Sequence, residues 1–373
     1  MEGRGQLAAI LQPLTVADSF AAIGIPTAVA FFVAKGIDYF PIQRLALITA
    51  SLTSAIVFVL LSLYSPFVSK SQDIDQWLLL LVWASIIPGA LLAVRRSVWA
   101  GQKSWKLMDT ARTAIALSRL SAIVLLAAVG VSSVLVFAAS PIIAGLCVST
   151  YLLWRRRPTH VFGIGNRTRQ REFYRFSLFA ALGTVSSAAS ARLDQAILPA
   201  LTSSTELGLY AVAVTISEVP LIVGIVLARN LVSEASSGAK TATMLRLVAK
   251  GFTLSAVGAI GLAIVSVWAL PVVFGSSFDG SLEPLFILLG ATVLIVGSVS
   301  ISAVLTGWHN PLLASLPQVA AILVVVILYS AVGTRATAIS ASWITMASQG
   351  VGLAVAVFVF ARLSRRPRPS QDG

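Results

Sequence analysis

Residues 113–154 read TAIALSRLSAIVLLAAVGVSSVLVFAASPIIAGLCVSTYLLW, with Arg119 the one charged residue in the run. A helix crosses a bilayer with about 20 apolar residues, so this run holds enough for two crossings. Gly130-Val131-Ser132-Ser133 offers the break for a tight hairpin between helices near 113–131 and 133–154. Comparable segments lie near 7–34, 43–64, 77–95, 175–199, 206–230, 250–273, 283–306, 311–332 and 337–361. The expected fold is an all-α integral membrane protein with about 11 transmembrane helices.

Composition agrees. Hydrophobic residues make up 57 % of the 373, charged residues 11 %, and the mean hydropathy is +0.90. A soluble domain carries roughly 25 % charged residues. The net charge of +13 does not mark a nucleic-acid surface, because the cations are spread over short loops. With the N-terminus placed outside, 22 of the 27 Lys and Arg fall in inner loops, around 35–44, 95–112, 155–175, 229–250 and 362–368. Arg4, Lys70 and Arg335 fall outside, and Arg119 and Arg192 lie within spans. Retention of basic loops in the cytoplasm therefore predicts a cytoplasmic C-terminus, in a multi-pass protein of the cell (inner or plasma) membrane. Trp77, Trp99, Trp154 and Trp308 fall near span ends, where indoles anchor at headgroup depth.

Several chemistries are excluded. Cys147 is the single cysteine and sits in an apolar helix, which closes disulfide and cysteine-cluster metal sites. His160 and His309 are far apart and lack a partner motif. Gly238-Ala239-Lys240-Thr241 has neither the spacing nor the Gly-Lys pair of a phosphate loop, and no cofactor is expected. No secretory signal pattern is visible at the N-terminus. A membrane enzyme would need an external loop rich in acids and histidines; the largest, near 65–76, offers Asp73 and Asp75.

A weak internal repeat divides the chain. Gly5-Gln6-Leu7-Ala8 resembles Gly208-Leu209-Tyr210-Ala211 at an offset of 203, and Val98-Trp99-Ala100-Gly101 resembles Val304-Leu305-Thr306-Gly307 at 206. Nearly equal offsets predict tandem lobes: 1–154 with five spans, a basic linker at 155–174, 175–361 with six spans, and a tail at 362–373. The repeat leaves the helix at 175–199 without an N-terminal counterpart. The expectation is a twelve-helix architecture lacking its first helix.

Several stretches resemble the Wzx-like polysaccharide flippases of the multidrug/oligosaccharidyl-lipid/polysaccharide exporter superfamily. The most specific is Ala191-Arg192-Leu193-Asp194-Gln195, followed by Leu207-Gly208-Leu209-Tyr210-Ala211-Val212-Ala213. Glu2–Ala8, Ile23–Ala28 and Pro271–Phe278 follow in the family's order. The resemblance implies two pseudo-symmetric six-helix bundles working by alternating access. It implies as substrate an undecaprenyl-diphosphate-linked oligosaccharide, turned from the cytoplasmic to the outer leaflet, and a downstream polysaccharide polymerase as partner.

Charges within spans cost roughly 2.5–3.5 kcal/mol each on insertion scales, so each needs a reason. Glu218 lies near a span's middle, and Pro220 behind it favours a bend. Asp18 sits equally deep in the corresponding N-terminal helix. Both are candidate coupling or cavity acids. Arg192 and Asp194, two positions apart, point to opposite faces and pair poorly with each other. Facing a cavity, Arg192 matches diphosphate oxygens in bidentate geometry. Asp194 is a third candidate acid, with a structural bridge as its other reading. Arg119, near the cytoplasmic end of its span, either snorkels to the interface or supplies an inner-leaflet diphosphate contact. The stretch 155–175, with seven arginines and Glu172, should attract anionic membrane lipids. Arg119 and Arg192 favour a lipid-diphosphate flippase; Asp18 and Glu218 would suit a multidrug or cation antiporter. A peptidoglycan-precursor flippase and a non-transporting scaffold also remain.

Overall fold

The computed structural model describes residues 1–35, 39–131, 133–155, 167–236, 241–308 and 311–364. Helices fill them: α1 (Glu2–Ala22), α2 (Ile25–Ala34), α3 (Tyr39–Gln72), α4 (Gln76–Trp83), α5 (Ile86–Gly101), α6 (Trp105–Ala128) and α7 (Val134–Arg155). Then come α8 (Arg167–Ile197), α9 (Ser204–Ser217), α10 (Leu221–Ser236), α11 (Thr241–Phe274), α12 (Leu282–Gly307), α13 (Pro311–Val332) and α14 (Ala338–Ser364). Among the described residues, eight stretches are long and apolar enough to cross a membrane, and ten if the bent pairs α1–α2 and α9–α10 each count as one span. Helix α8, the eleventh expected span, is among neither set. Its first turns occupy 167–174, which the sequence suggested as linker. His160, His309 and the arginines at 156–157 and 365–368 lie outside the described residues.

Two compact units form, one of Gln6–Ala188, the other of Met1–Gly5 with Ala189–Gly373. In the second, α12 is the core helix. It is apolar on every face, and most of its residues are buried, which is what an all-round apolar sequence requires. Small residues let its neighbours approach: a Cβ at Gly307 would stand 2.7 Å from Val232 O of α10. In the Gln6–Ala188 unit, Gly101 ends α5 in the same manner, where a Cβ would stand 2.6 Å from Ala30 O of α2. Glycines 206 positions apart thus bring equivalent helices into contact in each unit.

The segments near 7–34 and 206–230, read as single helices, are each broken. Helices α1 and α2 meet at 43°, and α9 and α10 at 47°. The first break falls at Ile23 and Gly24, both at positive φ (34° and 64°), and a Cβ at Gly24 would stand 2.5 Å from Ser177 O. The second falls at Glu218-Val219-Pro220, as the proline predicts. A broken helix frees carbonyls that lipid cannot solvate. Hydroxyls from neighbouring helices satisfy them: Thr53 Oγ1 donates to Ala21 O (2.6 Å) and Ser177 Oγ to Ile23 O (3.0 Å). At the other bend, Thr292 Oγ1 of α12 donates to Ser217 O (2.8 Å).

Of the expected interfacial indoles, Trp77 and Trp154 are exposed, at 78 % and 66 %. Trp99 is not an anchor: it is fully buried, packed with Ala111 and Leu153 where α5, α6 and α7 meet. Trp308 is half-buried and stacks on Phe360. Asp75 caps α4, accepting from Trp77 N (2.9 Å).

Candidate functional site

Polar groups inside the spans collect at two places, one in each unit. In the unit of Ala189–Gly373, the end of α8 meets the bend between α9 and α10. Arg192 Nη2 donates to Glu218 Oε2 across 3.1 Å. Glu218 is the C-cap of α9, so the helix break holds its carboxylate in the wall of a cavity of about 500 Å³. The two side chains remain 42 % and 32 % exposed. An ion pair this open is worth about 0–1 kcal/mol, and its arginine is free to exchange partners.

Asp194 points the other way, as its spacing from Arg192 predicts, and is 5 % exposed. Its Oδ2 accepts from Tyr210 Oη of α9 and from Thr345 Oγ1 of α14 (3.0 Å). The two hydroxyls lie 3.2 Å apart, closing a triangle. Among the described residues no Lys or Arg reaches Asp194 within 4.0 Å. Asp194 and Thr345 both line the cavity that Arg192 and Glu218 enter. Nearby, Gln349 Nε2 donates to Ser190 O (3.0 Å), and Glu206 Oε2 accepts from Ala338 N (2.7 Å), binding α8 and α9 to α14.

In the Gln6–Ala188 unit, Asp18 of α1, Arg96 of α5 and Arg119 of α6 line one pocket of about 190 Å³. Arg96 corrects the sequence reading, which placed it in an inner loop: it sits inside α5 and donates from Nη1 to Ser149 Oγ of α7 (2.6 Å). Arg119 lies against Gly145 of α7, where a Cβ would stand 2.9 Å from its Nε. Arg119 therefore packs along α7 and lines the pocket while the residue stays exposed.

All five sequence candidates thus line a pocket with an opposite charge, and Asp194 is held in addition by a hydroxyl network. Sequence reasoning missed Tyr210, Thr345 and Ser149, uncharged polar residues that apolar helices carry routinely. The one available signal was polar spacing in α14, where Thr345 and Gln349 stand four apart on one face. Among the described residues no group of three or more His, Cys, Asp or Glu could hold a metal ion.

Residues 1–232 match the model of a family described as "Polysaccharide biosynthesis protein". No curated protein matches the sequence. Among solved structures, one described as lipid II flippase MurJ in an inward closed conformation aligns at TM-score 0.75 and 14 % identity, covering 98 % of this chain and 82 % of that one. An outward-facing multidrug resistance transporter of the MATE family aligns at TM-score 0.64 and 12 % identity, over 98 % and 88 %. A MOP-superfamily transporter from Pyrococcus furiosus aligns at 0.61 and 12 %, over 98 % and 89 %. The chain belongs to the polysaccharide biosynthesis protein family and shares the all-helical fold of these solved structures.

Proposed function

We propose that the protein is a flippase that carries an undecaprenyl-diphosphate-linked oligosaccharide from the cytoplasmic to the outer leaflet by alternating access, for cell-surface polysaccharide synthesis. One observation carries this reading: each unit has a cavity where arginine and acid side chains meet, Arg192 with Glu218 and Asp194 in one, Arg96 and Arg119 with Asp18 in the other. Arg192 and Arg119 are assigned to the diphosphate, whose oxygens suit the guanidinium fork. Glu218 and Asp18 are their exchange partners and candidate coupling acids. Asp194 is a third candidate, held ready by Tyr210 and Thr345. Glu218 is matched by Arg192 and Asp18 shares its pocket with two arginines, while Asp194, with no cation within 4.0 Å among the described residues, is the acid that would suit a cation antiporter. In the flippase reading the protein works in the cell membrane with its C-terminus cytoplasmic, and a polymerase consumes what it delivers.

Peptidoglycan-precursor transport is the second reading, favoured by the alignment to the lipid II flippase. The test is the sidedness of lipid-linked oligosaccharide in cells lacking the protein and complemented with it. Accumulation on the cytoplasmic leaflet, reversed by the chain, supports the proposal. Unchanged oligosaccharide sidedness with stranded peptidoglycan precursor transfers the assignment to the second reading, and no change in either removes both.

A further inference from the structure

The two helix breaks are built differently. At α1–α2, Ile23 and Gly24 hold positive φ (34° and 64°), so straightening would carry both residues into another backbone basin. That break is a fixed elbow. At α9–α10 no residue from 217 to 221 has a positive φ, and Glu218 sits at φ −74° and ψ −15°. The turn is made by hydrogen bonds instead. Val219 N donates to Ile216 O (3.2 Å), Leu221 N to Glu218 O (3.0 Å), Ile222 N to Val219 O (3.3 Å) and Val223 N to Pro220 O (3.2 Å). Each N–H reaches back three residues, and small changes in ψ would return it to the four of an α-helix.

This three-back pattern skips one carbonyl. The residue three beyond Ser217 is Pro220, which has no N–H. Thr292 Oγ1 of α12 donates to Ser217 O in its place (2.8 Å), and both residues are 3 % exposed, so solvent does not replace the bond. In a straighter α9–α10 the donor four beyond, Leu221 N, would return to Ser217 O. Straightening then strands Ile216 O, whose partner four beyond is Pro220. The bent form with Thr292 satisfies both carbonyls. Without that hydroxyl each form strands one, and the bias towards the bend is lost. Glu218 directly follows Ser217, so an exchange of donors re-aims the carboxylate that meets Arg192. One turn along α12 from Thr292, Val296 Cγ2 lies 3.0 Å from where a Cβ at Gly224 of α10 would stand. The same face of α12 therefore seats both the Thr292 bond and α10.

We propose that α9–α10 is a two-state hinge whose bent form is held by Thr292, with Ser217 O exchanging its donor between Thr292 Oγ1 and Leu221 N. Thr292 is a positioning residue: it acts on the cavity through Glu218. That the hinge serves substrate passage rests on the flippase reading; the donor exchange itself does not.

The experiment uses the full chain in phosphatidylcholine nanodiscs, with Cys147→Ser removing the native thiol and nitroxide labels at Thr205→Cys in α9 and Asn230→Cys in α10. Arms of about 22 Å and 15 Å meet at the bend, so straightening lengthens the label distance by about 3 Å. Double electron–electron resonance should show the shorter distance dominant. Thr292→Val, which keeps the shape and deletes the hydroxyl, should raise the ratio of longer to shorter about fivefold or more. Thr292→Ser should restore the wild-type ratio. Pro220→Ala returns a donor to Ile216 O without touching α12; it should shift the ratio the same way, and it carries the test if T292V misfolds. Thr306→Val is the control, since the Thr306 hydroxyl bonds Ser302 O of its own helix (2.9 Å). A dominant longer distance in the wild type overturns the proposal, as does a ratio unchanged in folded T292V or in P220A. Equal ratios in T292V and T292S overturn it too. A hinge that shifts as expected, in a protein whose loss leaves sidedness unchanged, keeps the Thr292 assignment and removes the flippase reading alone.

Discussion

Arg192 and Glu218 touch through one contact of 3.1 Å, at the point where Pro220 bends the α9–α10 pair by 47°. The carboxylate belongs to the bend and the guanidinium to α8, so ligand chemistry at the arginine and hinge geometry are physically joined. Arg192→Ala should lower translocation at least about tenfold while leaving expression and membrane insertion intact. Arg192→Lys should recover only part of that loss, because an ammonium lacks the bidentate fork. Initial rates of leaflet transfer, normalised to protein in the membrane, check both. Full activity in R192A would remove its assigned role.

Glu218→Gln tests the other half of the pair. Removing the carboxylate's charge leaves Arg192 without its counter-ion in a half-open cavity. A diphosphate ligand should then no longer compete with Glu218 for Arg192 and should bind more tightly, while release slows. The expected outcome is a lower KM together with a lower kcat, which distinguishes partner exchange from simple misfolding. A rise in KM would count against the exchange.

The triangle of Asp194, Tyr210 and Thr345 predicts non-additive stability. Both hydroxyls donate to Oδ2, so losing either leaves the carboxylate partly satisfied, and losing both leaves it buried with neither. Tyr210→Phe and Thr345→Val should each cost about 1–3 kcal/mol. The double variant should cost more than the sum, read as a coupling energy from unfolding in detergent. Strict additivity would mean that the two hydroxyls do not share the acid.

Much of this fold was legible because bilayers impose one rule on every span. Apolar length marked the hairpin at 113–154, and Pro220 marked the bend beside Glu218. The break at Ile23-Gly24 was half legible. Gly24 and Pro26, the latter in the first turn of α2, stand at it, but the backbone it packs on, α8 at Ser177, is more than 150 residues away in sequence. The site was half legible for a similar reason. Arg192, Glu218, Asp18 and Arg119 stand out as charges in apolar helices, whereas Arg96 hid beside Arg95 in what reads as a basic loop. Tyr210 and Thr345 gain meaning only from the acid they face, which no local pattern encodes.

Glycines offer the sharpest contrast between positions of equal appearance in the sequence. Gly24→Ala forces a Cβ onto Ser177 O at a positive φ of 64°, and Gly307→Ala drives one against Val232 O. Gly258, in α11, has nothing within 4 Å of its virtual Cβ, and its backbone is helical. Alanine there should be neutral or stabilise by about 1 kcal/mol through helix propensity. Alanine at 24 should cost more than about 2 kcal/mol, because strain and collision add and the bend cannot relax without losing the Ser177 bond. Thermal unfolding of the three variants in the same detergent ranks them. If Gly24→Ala unfolds with Gly258→Ala, the break at Gly24 does not depend on glycine, and α1–α2 straightens at little cost.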